Sequence, residues 1–496
     1  MLRVGRGYLT LRHFYESFAI FGAPGAGKTS SSFFSFLLAC CAAGMGGIYC
    51  VYKKDAIPII EKVAAATGRT GDLVYLSRVR INLLNFVMEH LGGEAFGQNL
   101  VAFMEHMMDA ARKVSGMGGG SDSSNRYFTD NALKMASHAF PLLKAAWGTI
   151  QLSDLYEFIT SVPMTAAEAV SEEWKSTFCY QTHARLAVLA KQAAAKGNPD
   201  ARLERVIAEH GDFFLNETAK LDPRPKTSTI STLTNSIYPF LAGQLKDTFC
   251  TDTTFLPSAC REGKILVLDY PIDTGLGGIV AQVLLKYLCG LAWQSEQVDS
   301  TTRGCFIAAD EAQFYLAASD ADLLSTSRSA KISVCYATQD LPTYYAKLGA
   351  NSRDVAESIL SKFGTRIYHA NLSRETNIAA AEQVGKIEKF HVTETRSRGA
   401  TSGAGGNLHD KSGGFHGNHG ANTSAGQSTS GYMDYEIPPD YFATSLRTGG
   451  KANRYKVDAI LVRNARNWTE TGRHWVKAEF SQQRPRRGLW RLRGGR

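Results

Sequence analysis

Short apolar runs alternate with helix-length amphipathic segments at the start of the chain. Buried strands are predicted at residues 18–21, 48–52 and 72–76, where apolar residues form short continuous runs. Helices are predicted between them at 30–43 and 55–66, because apolar residues recur there at helical spacing. Strands that alternate with helices of this length predict a parallel sheet with helices on its faces.

The alternation stops at residue 85 and resumes after residue 252. The segment between them is predicted to be mostly helical, with helices at 96–114, 127–147, 152–160 and 174–195, and one at 227–241 after a proline-rich stop at 222–225. Further strands are predicted at 264–270, 305–309, 332–337 and 365–369. The pattern therefore predicts an α/β fold, a doubly wound mostly parallel sheet with an inserted all-α domain of about 165 residues.

The composition changes twice near the C-terminus. Gly, Ser, Asn and Thr dominate residues 396–431 without an apolar period, so we expect a disordered or mobile loop there. A strand is predicted at 457–462, where folded sequence has returned. The last thirteen residues, 484–496, contain six arginines and a tryptophan. This basic tail suits binding to a phosphate backbone, and the alternative is a solubilising tail.

The overall composition is that of a globular protein. The 496 residues are 44% hydrophobic and 20% charged, and the formal net charge of +9 permits a nucleic-acid partner without requiring one. The nine cysteines include no C-x-x-C pair, so we expect core cysteines rather than a zinc site or disulfide framework. The membrane-like stretch 33–52 contains three glycines and is better explained by a helix, a turn and a strand. We expect a cytoplasmic protein without a signal peptide or transmembrane helix.

Residues 22–29 carry the most specific chemical signal in the chain. They read G-A-P-G-A-G-K-T, which matches the phosphate-binding pattern G-x-x-x-x-G-K-[ST], between a predicted strand and a predicted helix. Glycines let backbone N–H groups point at phosphate oxygens, Lys28 supplies a charge for the β- and γ-phosphates, and the Thr29 hydroxyl can ligate Mg²⁺. The predicted residues of this ATP site are Gly22, Ala23, Pro24, Gly25, Ala26, Gly27, Lys28, Thr29 and Ser30.

Hydrolysis requires carboxylates in addition to a phosphate site. The apolar run at 305–309 ends in Asp310 and Glu311, at the edge where parallel sheets bind ligands. We assign Asp310 to the Mg²⁺ shell and Glu311 to orienting or deprotonating the attacking water. Asp269 also ends an apolar run, but no second acid follows it, so it ranks behind Asp310.

Two further polar residues are candidates for the catalytic site. Gln339 follows a predicted strand, where an amide can sense the γ-phosphate or the water, and the alternative is a turn residue. Arg328 lies between two predicted strands and can reach the γ-phosphate of a neighbouring subunit, whereas the alternative is a solvated arginine at a helix end. Arg366 and Arg374 are weaker candidates for the same role.

The order of these motifs resembles the conjugative coupling proteins, the type IV secretion coupling ATPases of the TraG and TraD kind. The loop at 22–29 and the pair Asp310 and Glu311 are the specific part of the resemblance. The weaker similar stretches, which extend it over most of the chain, are 52–55, 68–69, 72–74, 127–132, 152–155, 263–269, 375–385, 438–442 and 449–450. Arg328 and Gln339 fall in the family's order, whereas the Gly/Ser-rich segment is longer than the family pattern.

The resemblance implies a RecA-like ATPase that assembles as a homo-hexamer and moves single-stranded DNA, usually with a bound relaxase, toward a secretion channel. It implies that Arg328 acts in trans and that the all-α domain recognises cargo. Members of the family usually begin with transmembrane helices. Because we expect none here, membrane attachment would need a separate anchor protein.

The sequence patterns and the resemblance together predict six segments. The nucleotide-binding domain is predicted in three parts, at 1–84, 253–395 and 432–483. The other segments are the all-α domain at 85–252, the Gly/Ser-rich loop at 396–431 and the basic tail at 484–496.

Two alternative functions use the same motifs. The first is a soluble hexameric DNA pump or helicase of a phage or mobile element. Residues 310–313 resemble a helicase box, but a helicase of that class needs two tandem motor domains and the chain has one P-loop. The second is a cargo adaptor whose bound nucleotide is structural. An adaptor need not keep Glu311 or Gln339, so the presence of both argues against it.

Overall fold

A computed structural model describes residues 2–4, 7–91, 96–114, 123–220, 222–348, 352–403, 418–469 and 471–482. The predicted basic tail at 484–496 lies outside these residues. The first part of the chain forms β1 (Leu2–Val4), β2 (Gly7–Leu9), α1 (Leu11–Phe14), β3 (Phe18–Phe21), α2 (Phe34–Ala42), β4 (Gly46–Cys50), α3 (Ile57–Thr67) and β5 (Leu73–Tyr75).

A helical segment follows, as predicted. It contains α4 (Leu83–His90), α5 (Phe96–Val114), α6 (Ser123–Trp147), α7 (Leu152–Thr160), α8 (Phe178–Ala195), α9 (Ala201–Val206), α10 (Pro223–Ile237) and α11 (Gly243–Phe249). The start of α10 corrects one boundary, because the proline-rich stretch at 222–225 begins this helix rather than stopping one. Asp222 caps it by accepting the Arg224 N–H at 2.9 Å, and Pro223 lies at the first helical position, where a missing N–H costs little.

The alternation of strands and helices then returns. The next elements are α12 (Ser258–Arg261), β6 (Ile265–Leu268), α13 (Leu276–Ser295), β7 (Cys305–Ala309), α14 (Asp320–Thr326), β8 (Ile332–Thr338), α15 (Leu341–Leu348), α16 (Ser352–Leu360), β9 (Thr365–Tyr368) and α17 (Arg374–Val384). The C-terminal elements are β10 (Lys386–Gly403), β11 (Asn418–Tyr435), α18 (Pro439–Thr444), β12 (Lys456–Arg463) and β13 (Trp475–Ser481).

Strands from both parts of the chain join one sheet in the described structure, in the order β13-β12-β9-β3-β8-β7-β4-β6-β5. All neighbours from β9 to β5 are parallel, and β12 and β13 add an antiparallel edge. The predicted α/β fold with a mostly parallel sheet is confirmed. Only β8 separates β3 from β7, so the loops after β3 and β7 lie close together at the edge where the parallel strands end, here called the carboxyl edge.

Both faces of the central strands of the sheet are buried. Along β3, Ala19 and Phe21 belong to one apolar cluster, and Phe18 and Ile20 belong to the other. Helix α2 contributes to the second cluster and α13 to the first. Burial on both faces explains why the central strands are continuous apolar runs rather than alternating ones. All nine cysteines are buried, in agreement with the expected core positions.

Helix α13 is long and apolar enough to cross a membrane by composition alone, with a mean hydropathy of 1.5. However, 78% of its most apolar window is buried inside the protein, which is the pattern of a core helix. In the sequence, the membrane-like stretch was residues 33–52. In the structure, these residues form α2, a turn and β4.

The Gly/Ser-rich segment differs from its prediction. Strands β10 and β11 pair antiparallel in continuous register, from Lys386 opposite Tyr435 to Gly403 opposite Asn418. The expected disorder is therefore wrong for 396–403 and 418–431, while 404–417 lies outside the described residues. Hydrogen bonds between two strands join backbone groups and need no buried side chains, so the hairpin forms although glycine and serine dominate this segment. A search for apolar periodicity misses such an exposed hairpin.

Strand β4 begins two residues earlier than predicted, because its two glycines belong to the strand rather than to a turn. A Cβ atom on Gly46 would lie 2.1 Å from the Cys260 carbonyl oxygen. A Cβ atom on Gly47 would lie 2.2 Å from the Phe306 carbonyl oxygen. Close backbone approach, rather than chain reversal, requires glycine at both positions.

We expect Gly46→Ala to lower the free energy of unfolding by about 1–3 kcal/mol, because the added methyl group meets backbone atoms that cannot rotate away. Gly71→Ala is the matched control, since a Cβ atom there would meet nothing within 4 Å. The control should stay within about 0.5 kcal/mol of the wild type. Denaturant unfolding compares the two variants, and equal stability would contradict the close approach at Gly46.

Candidate nucleotide-binding site

The predicted phosphate loop, residues 22–29, connects β3 to a helix that begins at Thr29 with a wide turn and continues as α2. Gly25 and Gly27 have φ angles of 76° and 84°, in the left-handed region that favours glycine. The helix directs the positive end of its dipole toward the loop. This backbone conformation is compatible with the predicted binding of phosphate groups.

Backbone hydrogen bonds connect the loop to the residues that follow β8 and β9, the two strands that flank β3. The Gly22 N–H donates to the Gln339 carbonyl at 3.1 Å, just after β8. The Ala23 N–H donates to the Ala370 carbonyl at 2.9 Å, just after β9. Gln339, predicted to act through its side chain, therefore also supports the loop through its main chain.

Thr29 and Asp310 meet at the carboxyl edge. The Thr29 Oγ1 hydroxyl donates to Asp310 Oδ2 at 2.5 Å, although 281 positions separate the two residues. Lys28 is buried, with 6% of its surface exposed. Burial raises the pKa of Asp310 above the usual carboxyl value, while the Thr29 hydrogen bond and the Lys28 charge oppose that rise. Three residues predicted for phosphate and metal binding are thus adjacent.

Glu311 has a left-handed backbone, with φ of 57°, which is uncommon outside glycine. Its Oε2 atom accepts a hydrogen bond of 2.6 Å from Gln313 Nε2. Gln339 Nε2 lies 3.5 Å from the same oxygen, at the limit of a hydrogen bond. The predicted pair of Glu311 and Gln339 is therefore brought together, and Gln313 is a contact that the sequence did not indicate.

The oxygen atoms beside Lys28 fit Mg²⁺ better than other common metals. Mg²⁺ is usually held by one or two protein oxygens together with water and substrate phosphates. Thr29 Oγ1 and Asp310 Oδ2 form such a pair. Across the part of the chain that the structure describes, no group of three or more His, Cys, Asp or Glu residues could hold a metal ion. The site is thus suited to a metal shared with a phosphate ligand.

Arg328 lies away from this site. It follows α14 and precedes β8, so it is at the opposite edge of the sheet, and it is exposed. Within one chain it does not join Lys28 and Glu311. Arg366 lies within β9 and donates to the Leu360 carbonyl at 2.8 Å, while Arg374 begins α17 and is exposed.

Asp269, the lower-ranked acid, is also elsewhere. It follows β6, which is two strands away from β7, and it is engaged by another segment. Its Oδ1 accepts the Ser77 N–H at 2.8 Å and its Oδ2 accepts the Ser77 hydroxyl at 2.6 Å. This placement agrees with ranking it behind Asp310.

His369 contacts the helix that follows the phosphate loop, and it was not identified as a candidate from the sequence. It is fully buried at the end of β9. Its Nε2 lies 2.8 Å from Ser32 Oγ in the helix after the phosphate loop, and its Nδ1 lies 3.2 Å from the Asp458 carbonyl oxygen on β12. Burial lowers its pKa to about 3. No sequence signal marked it, because its partners are remote along the chain.

The C-terminal strand also reaches the phosphate loop. Gln482, which follows β13, donates through Nε2 to Ser30 Oγ at 2.8 Å. Its Oε1 accepts the Gly450 N–H at 2.8 Å. Residues from the end of the described chain therefore flank the phosphate loop, and the sequence patterns gave no indication of this contact.

Comparisons with known proteins agree with this architecture. Residues 305–427 match a family model described as the TraM recognition site of TraD and TraG. Among solved structures, the unbound bacterial conjugative coupling protein TrwBdeltaN70 matches with a TM-score of 0.56 at 13% identity, covering 98% of this chain and 92% of that chain. A comparison with curated protein sequences gives no match.

Two nucleotide complexes of the plasmid coupling protein TrwB match equally well. The complex with ADP and Mg²⁺ has a TM-score of 0.56 at 13% identity and covers 98% of this chain and 91% of that chain. The complex with the non-hydrolysable ATP analogue ADPNP has a TM-score of 0.55 at 13% identity, covering 98% and 93%. The predicted resemblance to the conjugative coupling proteins is confirmed, by the family model over 305–427 and by the fold over nearly the whole chain.

Because His369 is buried, we expect the free energy of unfolding to depend on pH. Its pKa falls from 6.5 in the unfolded chain to about 3 in the fold. The unfolded state therefore binds more protons below pH 6.5, and stability is lost as the pH falls from there toward 3. Between about pH 6.5 and about pH 5.5, this group should remove about 1 kcal/mol from the free energy of unfolding.

His369→Asn should reduce this pH dependence by that amount in denaturant unfolding at the two pH values. His391→Asn is the control, because it makes the same substitution at an exposed position on β10. A slope for His369→Asn equal to that of the wild type would contradict a neutral, buried imidazole.

Proposed function

We propose that the chain is a Mg²⁺-dependent ATPase of the conjugative coupling type, which uses ATP hydrolysis to move single-stranded DNA toward a secretion channel. The observation that carries the proposal is the 2.5 Å hydrogen bond between Thr29 and Asp310, with Glu311 beside it. A phosphate loop, a metal-binding oxygen pair and an adjacent carboxylate together are what phosphoanhydride hydrolysis requires.

Each predicted residue has a place in this reaction. The N–H groups of the 22–29 loop and the Lys28 ammonium bind the phosphates and stabilise the charge that develops on them. Thr29 Oγ1 and Asp310 Oδ2 are the atoms that would hold Mg²⁺, which, when bound, neutralises phosphate charge. No side chain of this set reacts covalently, so the chain acts by positioning and by electrostatics.

Glu311 is the proposed group that orients the water and accepts its proton. Gln339 lies beside it and is joined to the phosphate loop through its own carbonyl. An amide at this position is placed to respond to the γ-phosphate, because the same residue contacts both the loop and the catalytic carboxylate. This arrangement supports hydrolysis over the adaptor function, in which Glu311 would have no role.

The proposals for the DNA substrate and for the partners are based on the similarity of this chain to known proteins. The solved structures compared above are of a conjugative coupling protein, and the matched family model is described as a recognition site. The net charge of +9 is compatible with a polyanionic substrate. We therefore propose single-stranded DNA and a relaxase as cargo, with a secretion-channel or membrane-anchor protein as a further partner at the cytoplasmic face of the inner membrane.

We infer a hexameric ring from the resemblance to the coupling proteins, and the exposed position of Arg328 is compatible with it. At the opposite edge of the sheet it is remote from its own phosphate loop, but in a ring it can face the loop of the next subunit. A guanidinium that reaches a neighbour's γ-phosphate stabilises the charge of the transition state in trans. The site would then be complete only in the assembly.

Glu311→Gln should bind ATP with an affinity close to that of the wild type but lose at least about a hundredfold in hydrolysis rate, because the amide cannot accept a proton. Nucleotide titration and phosphate release measure the two properties separately. Glu89→Gln, at an exposed position on α4, is the matched control and should hydrolyse ATP normally. An unchanged hydrolysis rate in Glu311→Gln would contradict the assignment of Glu311 as the group that accepts the proton of the water.

Arg328→Ala and Lys28→Ala should each abolish most of the hydrolysis when assayed alone. In mixed rings, an Arg328→Ala subunit keeps its phosphate loop and its Lys28→Ala neighbour supplies the arginine, so complete sites form. Mixing the two purified variants should therefore restore part of the activity. Absence of recovery, in mixtures shown by native mass spectrometry to share subunits, would contradict a site shared between subunits.

A further inference from the structure

Gln313 is a buried amide in the turn that follows Glu311. Only 4% of its surface is exposed, and both ends of its side chain are engaged. Its Nε2 donates to Glu311 Oε2 at 2.6 Å, and its Oε1 accepts the Thr338 hydroxyl at 2.9 Å. Thr338 is itself fully buried, at the end of β8. A continuous chain of hydrogen bonds therefore runs from the sheet to the Glu311 carboxylate.

The two carboxylate oxygens of Glu311 have different surroundings. Oε2 receives the Gln313 amide at 2.6 Å and has Gln339 Nε2 at 3.5 Å. Among the described residues, none donates a hydrogen bond to Oε1. One oxygen is therefore held by the protein, while the other is left able to accept a proton from a ligand or water.

We propose that Gln313 is a positioning residue for hydrolysis, which fixes the Glu311 carboxylate through Oε2 so that Oε1 meets the attacking water. This inference rests on the proposed ATPase function. A short hydrogen bond to a charged oxygen is stronger than one between neutral groups. Restraining a catalytic group in this way removes rotamers that would place it outside the distance needed for proton transfer.

The turn does not need the Gln313 side chain for its own fold. The Phe314 N–H donates to the Glu311 carbonyl at 3.1 Å, and the Tyr315 N–H donates to the Ala312 carbonyl at 2.9 Å. The Phe314 ring also stacks on Tyr52, with centroids 3.9 Å apart. Removing the Gln313 amide should therefore free the carboxylate while the backbone around it stays in place.

Gln313→Met keeps the volume of the side chain and removes both hydrogen bonds. We expect kcat to fall by about tenfold to a hundredfold with the dissociation constant for ATP little changed. The melting temperature should fall slightly, because the buried Thr338 hydroxyl loses its acceptor. Thr338→Val, which removes only the far end of the chain of bonds, should give a smaller fall in kcat. Phosphate release, nucleotide titration and thermal unfolding are measured on the full chain for each variant.

Gln313→Glu provides a second measurement, the pH dependence of kcat, which should not change if Gln313 had only a structural role. Two facing carboxylates repel, but a shared proton at lower pH restores a donor toward Glu311. The ratio of the variant's kcat to that of the wild type should therefore rise as the pH falls, whereas the ratio for Gln313→Met should stay flat.

Two results would overturn the inference while leaving the proposed function intact. One is a wild-type kcat in Gln313→Met. The other is a fall in kcat matched by lost ATP binding and a much lower melting temperature, which would make Gln313 structural. A wild-type chain that hydrolyses no ATP would overturn the proposed function and this inference with it.

Discussion

The hydrogen bond between Thr29 and Asp310 joins the two parts of the nucleotide-binding fold, and the site depends on it. Thr29 follows β3 and Asp310 follows β7, with the helical insertion between them along the chain. Their contact requires the strand order β3-β8-β7, which places both loops at one edge of the sheet. The pairings of β3 with β8 and of β7 with β8 are both parallel, so β3 and β7 end at the same edge with one strand between them.

The turn after β7 contains several residues of the proposed nucleotide-binding site. It carries Glu311 and Gln313, and Phe314 at its end stacks on Tyr52 after β4. A small cavity is lined jointly by residues of α5, α13 and the segment 314–319. The segment that follows the Glu311 turn therefore also borders the helical insertion.

The sequence predicted those features that depend on local chemistry. The bounds of β3 and β7 were predicted to the residue, because long apolar runs mark strands buried on both faces. The phosphate loop and the position of Asp310 and Glu311 followed from motif and strand end. Gln313, His369 and Gln482 could not be found in this way, since their partners lie remote in the sequence or on another strand. The hairpin of β10 and β11 was missed because its pairing leaves no apolar period to detect.

ATP hydrolysis by the purified chain, with Mg²⁺ and with or without single-stranded DNA, tests the central claim most directly. The assay is run at low and at moderate salt, with Lys28→Ala as the control for a contaminating ATPase. We expect hydrolysis that single-stranded DNA stimulates strongly, and we expect the stimulation to fade as salt competes for the phosphate backbone. Hydrolysis indifferent to DNA would contradict the DNA motor while leaving the ATPase site intact. No hydrolysis under any of these conditions would contradict the account as a whole and favour a nucleotide-binding adaptor.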